Sequence, residues 1–210
     1  MNLVIIGTGY VGLTTGLGLA KLGNRVACVD TDAAKISKLD MGDAPFFEPG
    51  LFELLKEMQE AGRILFTTDL SAVVGGADII IIAVGTPSLP SGEANLSFVH
   101  AAIDAIGRTL EREAVIVMKS TVPVGTNRLM LERVKESLRK AGRDDLTSVV
   151  AIASVPEFLR EGSAFDDFAH PDRIVIGADD DVTLGIVDQI HQVIEAPRAF
   201  MSLESAELTK

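Results

Sequence analysis

The 210-residue sequence holds one cysteine, no tryptophan, one tyrosine and three histidines. A single cysteine excludes an internal disulfide. His100, His170 and His191 are too scattered for a metal-ligand pattern, so no metal site is expected. Long hydrophobic runs are missing as well. The longest, VIIGTGYVGL at 4–13 and DIIIIAVG at 78–85, are too short and too glycine-interrupted to cross a bilayer. Positive charge is scarce: 19 Lys and Arg against 30 Asp and Glu leave a formal charge of −11. That balance opposes nonspecific binding to nucleic acid, and no basic run reverses it locally. Met1 leads straight into a strand-like NLVII with no basic leader and no small-residue cleavage site, so the cytoplasm is the expected compartment.

What is present is globular: 47% hydrophobic and 23% charged residues, in a length that suits one substantial core. Apolar β-rich runs alternate with helical patterns from end to end. NLVIIG, RVACVD, RILFTT, ADIIIIAVG, AVIVMKS, SVVAIAS and RIVIG read as strands. Between or after them YVGLTTGLGLAKLG, TDAAKISKLDMG, FEPGLFELLKEMQEAG, DLSAVVGG, LSFVHAAIDAIGRTL, GTNRLMLERVKESLRKAG and DDVTLGIVDQIHQVIE read as helices. Such alternation predicts an α/β fold, a doubly wound parallel sheet with helices on both faces. Two stretches break the rhythm. GTPSLPSGEANLS at 85–97 is a long loop ending near a helix start at Asn95 or Ser97, and 155–173 is expected to hold a short helix and a loop.

Gly7, Gly9 and Gly12 in GTGYVG follow a strand and open a helix, the context that a GxGxxG spacing needs to signify a dinucleotide. The first glycine permits the turn, the second admits a pyrophosphate to the backbone with Tyr10 and Val11, and the third allows close helix packing. Asp30 ends the second strand, where a carboxylate accepts from the adenine ribose hydroxyls and repels a 2′-phosphate. This predicts a Rossmann-like domain that binds NAD rather than NADP. Lys35 either adds a contact to the ribose or phosphate or is a solvated helix lysine.

In open α/β sheets ligands lie beyond the carboxyl ends of the strands. Gly85, Thr86 and Pro87 follow the fourth strand, Ser120 and Thr121 the fifth, and SVPEFLREGSAF at 154–165 the sixth. Each has a plainer explanation. The hydroxyls suit turns and caps, and Glu157 and Glu161 behind Pro156 suit the first turn of a helix. Their convergence on one edge favours a site.

In order along the chain, GTGYVGL, FEPGL, VGTPS, STVPVGT, PEFLREGSA and HPDRIVIG resemble the N-terminal domain of the UDP-glucose 6-dehydrogenase family, grouped with GDP-mannose and UDP-N-acetylmannosamine dehydrogenases. The resemblance implies oxidation of the C6 hydroxyl of a nucleotide sugar, UDP-glucose, to a carboxylate with two NAD, by way of a cysteine thioester. It implies Glu157 as general base, Thr121 as the group that positions water or the reacting hydroxyl, and Lys210, in SLESAELTK, as oxyanion stabiliser. Glu161 would meet the nicotinamide side of the cofactor and the substrate. The backbone of Phe158, Leu159 and Arg160 would line the sugar, and Thr86, Ser120 and Thr121 would help hold NAD. Val155 departs from the polar residue, commonly Asn, that the family carries there. The only thiol, Cys28, lies in a strand expected to be buried and inert, so the family's nucleophile is expected in a further domain. Residues 1–203 are then the NAD-binding domain and 204–210 the start of a helix connecting to the rest of a homodimer or higher oligomer. GDP-mannose or UDP-N-acetylmannosamine as the sugar, and a noncatalytic NAD-binding regulatory module, remain as alternatives.

Overall fold

The strands form because their residues are apolar on both sides. Asn2–Ile6 (β1), Arg25–Val29 (β2), Ile79–Ile82 (β4) and Val115–Met118 (β5) are buried along almost their whole length, as a sheet sandwiched between helices demands. Ile64–Thr67 (β3), Ala151–Ser154 (β6), Ile174–Gly177 (β7) and Arg198–Met201 (β8) complete one eight-stranded sheet, in the order β3-β2-β1-β4-β5-β6-β7-β8. A computed structural model describes all residues, 1–210.

One face carries Tyr10–Lys21 (α1), Ala33–Asp40 (α2) and Leu51–Glu60 (α3), with Ala164–Ala169 (α7) and Asp181–Gln189 (α8) further along. The other carries Ser71–Val74 (α4), Ser97–Thr109 (α5), Thr126–Lys140 (α6) and Leu203–Leu208 (α9). Alternation along a strand assigns the faces. Val115 and Val117 of β5 pack into the first layer, and Ile116 and Met118 into the second.

The expected parallel sheet holds through β6 and then reverses. β7 runs antiparallel to β6 and is joined to it by one residue pair, Ser154 with Gly177, while β8 is parallel to β7. A parallel β7 would need a crossover back to the amino edge of the sheet. Residues 155–163 are instead without helix, and the one helix before β7 has six residues. β8 itself escaped the sequence reading, which took the helical pattern to Glu195. α8 stops at Gln189 because Arg198 gathers the carbonyls of His191, Ile194 and Ala196 at 2.6–2.7 Å, closing the following residues into turns.

The 154–165 stretch also departs from the helix start expected of it. Pro156 does not begin a helix: residues 155–160 carry no regular structure, 161–162 turn, and α7 starts only at Ala164. The four-residue spacing of Glu157 and Glu161 is therefore not a helical spacing, and the helix-dipole explanation of the two acids falls away.

α9 belongs to the folded layer. Leu203 and Ala206 are fully buried, and Leu203 joins the core formed with α5 and α6. Leu203→Ala should lower stability by about 2–5 kcal/mol, the range for emptying a buried leucine site. Urea unfolding checks this, and a loss below about 1 kcal/mol would mean that α9 does not pack in solution.

Candidate cofactor and substrate site

The site begins where β1 turns into α1. Gly7 has φ 101°, and a Cβ there would lie 2.6 Å from the Ala83 carbonyl oxygen of the neighbouring strand's end. A Cβ on Gly12 would run into the Gly7 carbonyl, so the start of α1 lies directly behind the β1 turn. Gly9, the N-cap, has nothing within 4 Å of a would-be Cβ and contributes no side-chain cap. The first-turn amides of Tyr10, Val11 and Gly12 have no acceptor inside their own helix. An open glycine before three unpaired N–H groups at the positive end of a 12-residue helix fits a pyrophosphate.

Asp30, one residue beyond β2, stands beside this turn. Its Oδ2 accepts from the Thr8 amide at 2.9 Å, the Thr8 hydroxyl at 2.7 Å and Lys35 Nζ at 2.8 Å, and Oδ1 accepts from the Asp32 amide at 3.0 Å. Burial by itself would raise this carboxyl. The Lys35 ammonium, the two amides and the hydroxyl outweigh it and hold the pKa at about 2. Lys35 is thus the partner of Asp30, and its ammonium keeps further N–H donors beside the glycine turn. Oδ1, with one donor, keeps room for a ribose hydroxyl.

Thr86 and Ser120 brace the loops after β4 and β5. The Thr86 hydroxyl donates to the Thr121 carbonyl at 2.7 Å, and Ser120 Oγ to the Val84 carbonyl at 2.7 Å. Gly85, Pro87 and Thr121 are exposed along this rim. After β6, Glu157 and Lys210 meet. Lys210 Nζ contacts the Glu157 carboxylate and donates to the Glu157 carbonyl at 2.7 Å, while Glu157 Oε2 accepts from the Leu159 amide at 2.8 Å. The ammonium also lies 5.9 Å from the Phe158 ring centre. Glu161 joins nothing: it is exposed and makes no hydrogen bond within the chain. No hydrogen bond connects Thr121 to Glu157. Arg160 turns its guanidinium to Asp167.

Two buried carboxylates that hold these parts in place were missed. Glu48 is 3% exposed and accepts from the amides of Gly162 at 2.9 Å and Ala164 at 2.5 Å. Tyr10 donates to the Arg160 carbonyl at 2.6 Å, with Glu48 Oε2 at 3.2 Å as a second acceptor. Burial and the Glu48 carboxylate push the Tyr10 phenol up to about 12, so it remains a donor. The glycine turn and the 160–164 segment are thereby linked directly. Glu207 is 6% exposed and accepts from the Gly125 amide at 2.5 Å, the Asn127 amide at 2.6 Å and Asn127 Nδ2 at 2.7 Å. It caps α6 from α9, three residues before Lys210. The only signal for either in the sequence was membership of the FEPGL and SAELTK stretches.

Val155 is core: it is buried, and its backbone N–H donates to the Met118 carbonyl at 2.9 Å. Cys28 is fully buried in β2, and burial pushes its thiol up to about 12, which removes thiolate character.

A parallel β-sheet core whose first turn is built for a pyrophosphate, with an anchored carboxylate at the end of the second strand, defines a dinucleotide-binding domain of the Rossmann class. Residues 1–195 match the UDP-glucose/GDP-mannose dehydrogenase family, NAD binding domain. The chain belongs to that family, and its cofactor is NAD. It is 43% identical over its full length to UDP-glucose 6-dehydrogenase YwqF of Bacillus subtilis, covering 46% of that protein. It is 45% identical over 179 residues, 85% of the chain and 39% of the relative, to UDP-glucose 6-dehydrogenase of Pseudomonas aeruginosa. Among solved structures, a UDP-glucose dehydrogenase from Pyrobaculum islandicum superimposes with TM-score 0.92 at 39% identity, over 99% of this chain and 48% of that one. GDP-mannose dehydrogenase from Pseudomonas aeruginosa does so with TM-score 0.92 at 33% identity, over 100% and 48%. The chain spans about half the length of the curated relatives it matches.

The low Asp30 pKa has a signed consequence. A carboxyl held below its unfolded value stabilises the fold fully above about pH 4 and loses that contribution as pH falls through about 2. Discounted for partial exposure, the contribution is on the order of 1–2 kcal/mol. The stability gap between wild type and Asp30→Asn should narrow between about pH 5 and pH 2. Urea unfolding at several pH values measures it, and a constant gap would show that Asp30 is not ionically anchored.

Proposed function

We propose that this chain is the cofactor-binding half of a UDP-glucose 6-dehydrogenase, which oxidises UDP-glucose to UDP-glucuronate. The observation that carries the reading is the meeting of Glu157 with Lys210, 53 residues apart, at the same edge as the glycine turn. Gly7, Gly9, Tyr10, Val11 and Gly12 seat the pyrophosphate, and Asp30 takes the adenine ribose. Gly85, Thr86, Pro87, Ser120 and Thr121 form the rim that holds the rest of the cofactor. NAD, when bound, supplies the hydride acceptor.

The chain's own groups handle the proton and the oxygen. Lys210 has three N–H donors, of which the Glu157 carbonyl and carboxylate engage two, leaving one for an oxygen that gains negative charge. Glu157 has one partner on each carboxylate oxygen and a lone pair left on each, so it can take a proton as general base. Thr121 orients the hydroxyl or water, Phe158, Leu159 and Arg160 present backbone to the sugar, and Glu161, free of partners, is available to the nicotinamide side and the substrate. The buried Cys28 supplies no nucleophile, which supports a thiol from beyond these residues. The chain alone is therefore expected to bind NAD without forming UDP-glucuronate. Supporting a cytoplasmic setting, no helix is long and apolar enough to cross a membrane.

Calorimetric titration tests the cofactor preference. NAD should bind more tightly than NADP, and Asp30→Ala should weaken NAD about 10–100-fold, the loss of a hydrogen bond to a charged group. Equal affinity for the two cofactors would remove the role given to Asp30.

The catalytic assignment is tested in the complete enzyme. Glu157→Gln should slow turnover about 10²–10⁴-fold while leaving the NAD dissociation constant near its wild-type value. Unchanged turnover would make Glu157 a structural partner of Lys210 only.

A further inference from the structure

Behind the 155–160 segment lies a cleft of about 370 Å³, bounded by α7, the start of β7 and the turns after α8. None of Thr86, Thr121 or Lys210 lines it; it shares with the site above only the wall formed by Glu157 to Arg160. Lys119, the first residue after β5, faces this cleft. It is 9% exposed, and its ammonium has no hydrogen-bond or ion-pair partner in the chain. Burial lowers its pKa to about 8, with Glu157 opposing and Lys210 adding to the shift, so the group is still charged at neutral pH. A buried cation without a partner is among the costliest arrangements a fold can retain.

His191 lines the same cleft and is also buried. Its Nδ1 lies 3.0 Å from the Val187 carbonyl, which can only accept, so Nδ1 carries the proton. Burial first, then the Lys119 charge, lowers the ring's pKa to about 4. The ring is neutral, and Nε2 is a bare acceptor with no protein donor. At the mouth, the Arg173 guanidinium sits 4.8 Å over the Phe158 ring and pairs with no carboxylate. Of the acids nearby, Asp167 is paired with Arg160 and Glu157 with Lys210, and the exposed Asp166 holds the His170 ring. None of them pairs with Lys119 or Arg173.

We infer that this cleft is a second ligand site, for a small hydroxycarboxylate. The ligand's carboxylate would receive hydrogen bonds from Lys119, with Arg173 at the mouth, and its hydroxyl would donate to His191 Nε2. A buried cation alone would select any anion, whereas a bare acceptor beside it selects an anion that also carries an O–H. The volume lies in the range of small-molecule sites and accommodates acids up to the size of a sugar acid. Because Glu157 sits on the shared wall, occupancy touches the segment on which the catalytic assignment rests, although the site itself does not depend on that assignment.

Glycolate, acetate and inorganic phosphate, titrated separately into the chain near neutral pH and followed by amide NMR, test it. Glycolate should give saturable shifts at residues 155–160 and 172–175 and bind more tightly than acetate. Lys119→Met should weaken glycolate about 10–100-fold, and Lys119→Arg should retain most of the affinity. His191→Phe keeps the cation and removes the acceptor, so it should equalise glycolate and acetate; this holds the test open if Lys119→Met does not fold. NAD titrated in parallel should bind Lys119→Met as it binds wild type, and its failure in wild type would count against the cofactor reading rather than this one. Absence of saturable shifts with glycolate, equal binding of glycolate and acetate in wild type, or saturation by phosphate alone would overturn the assignment.

Discussion

The arrangement depends on how closely α1 begins behind β1. Two places where a methyl group has no room, Gly7 against the Ala83 carbonyl and Gly12 against the Gly7 carbonyl, let the helix start at the sheet's carboxyl edge. From there α1 packs along the centre of one face, and α3 and α7 pack against it. Gly18 continues the pattern, since a side chain there would collide with the Phe168 ring of α7. Tyr10 reaches the Arg160 carbonyl only because the helix starts where it does. A displaced α1 would lose the pyrophosphate seat and the support for the segment after β6 together.

The carboxyl edge is otherwise held by carboxylates that satisfy backbone N–H groups. Loops at this edge cannot pair their amides with a strand, and each buried amide left unpaired is costly. Asp30 serves the Thr8 and Asp32 amides, Glu48 those of Gly162 and Ala164, and Glu207 those of Gly125 and Asn127. Each joins segments far apart in sequence or anchors the glycine turn itself. An acidic protein thus uses negative charge structurally and still presents a helix N-terminus to an anionic cofactor. The −11 balance describes the whole surface and does not describe this edge.

The reversal after β6 shapes the rest of the site. Because β7 meets β6 at one residue pair, the sheet opens there, and the space between α7, α8 and the 155–160 segment is not filled by a continuing ladder. Lys119, the residue after β5, faces that opening. The 155–160 segment that borders this opening forms no helix, and its Glu157 meets Lys210.

Local patterns were enough for much of this. Runs such as IIII in β4 are apolar on both faces and admit only a buried strand. GTGYVG needs φ above zero and close approach at fixed offsets, and a lone Cys28 between Ala27 and Val29 is core by its neighbours. Those features arise within a few residues, so the succession of strands along the chain through β6, the glycine turn, the place of Asp30 and the buried thiol could be read directly. What only the tertiary structure decided involves partners distant in the chain or competition between two local preferences. Pro156 with Glu157 is a sound helix start, yet the segment forms no helix, and Glu48 and Tyr10, more than a hundred residues earlier, hold its far end. RAFM is a weak strand that becomes one beside β7. Lys35, Glu207 and Lys119 are ordinary polar residues in sequence. Their roles depend on whether a counter-charge stands within reach, and spacing along a chain carries no information about that.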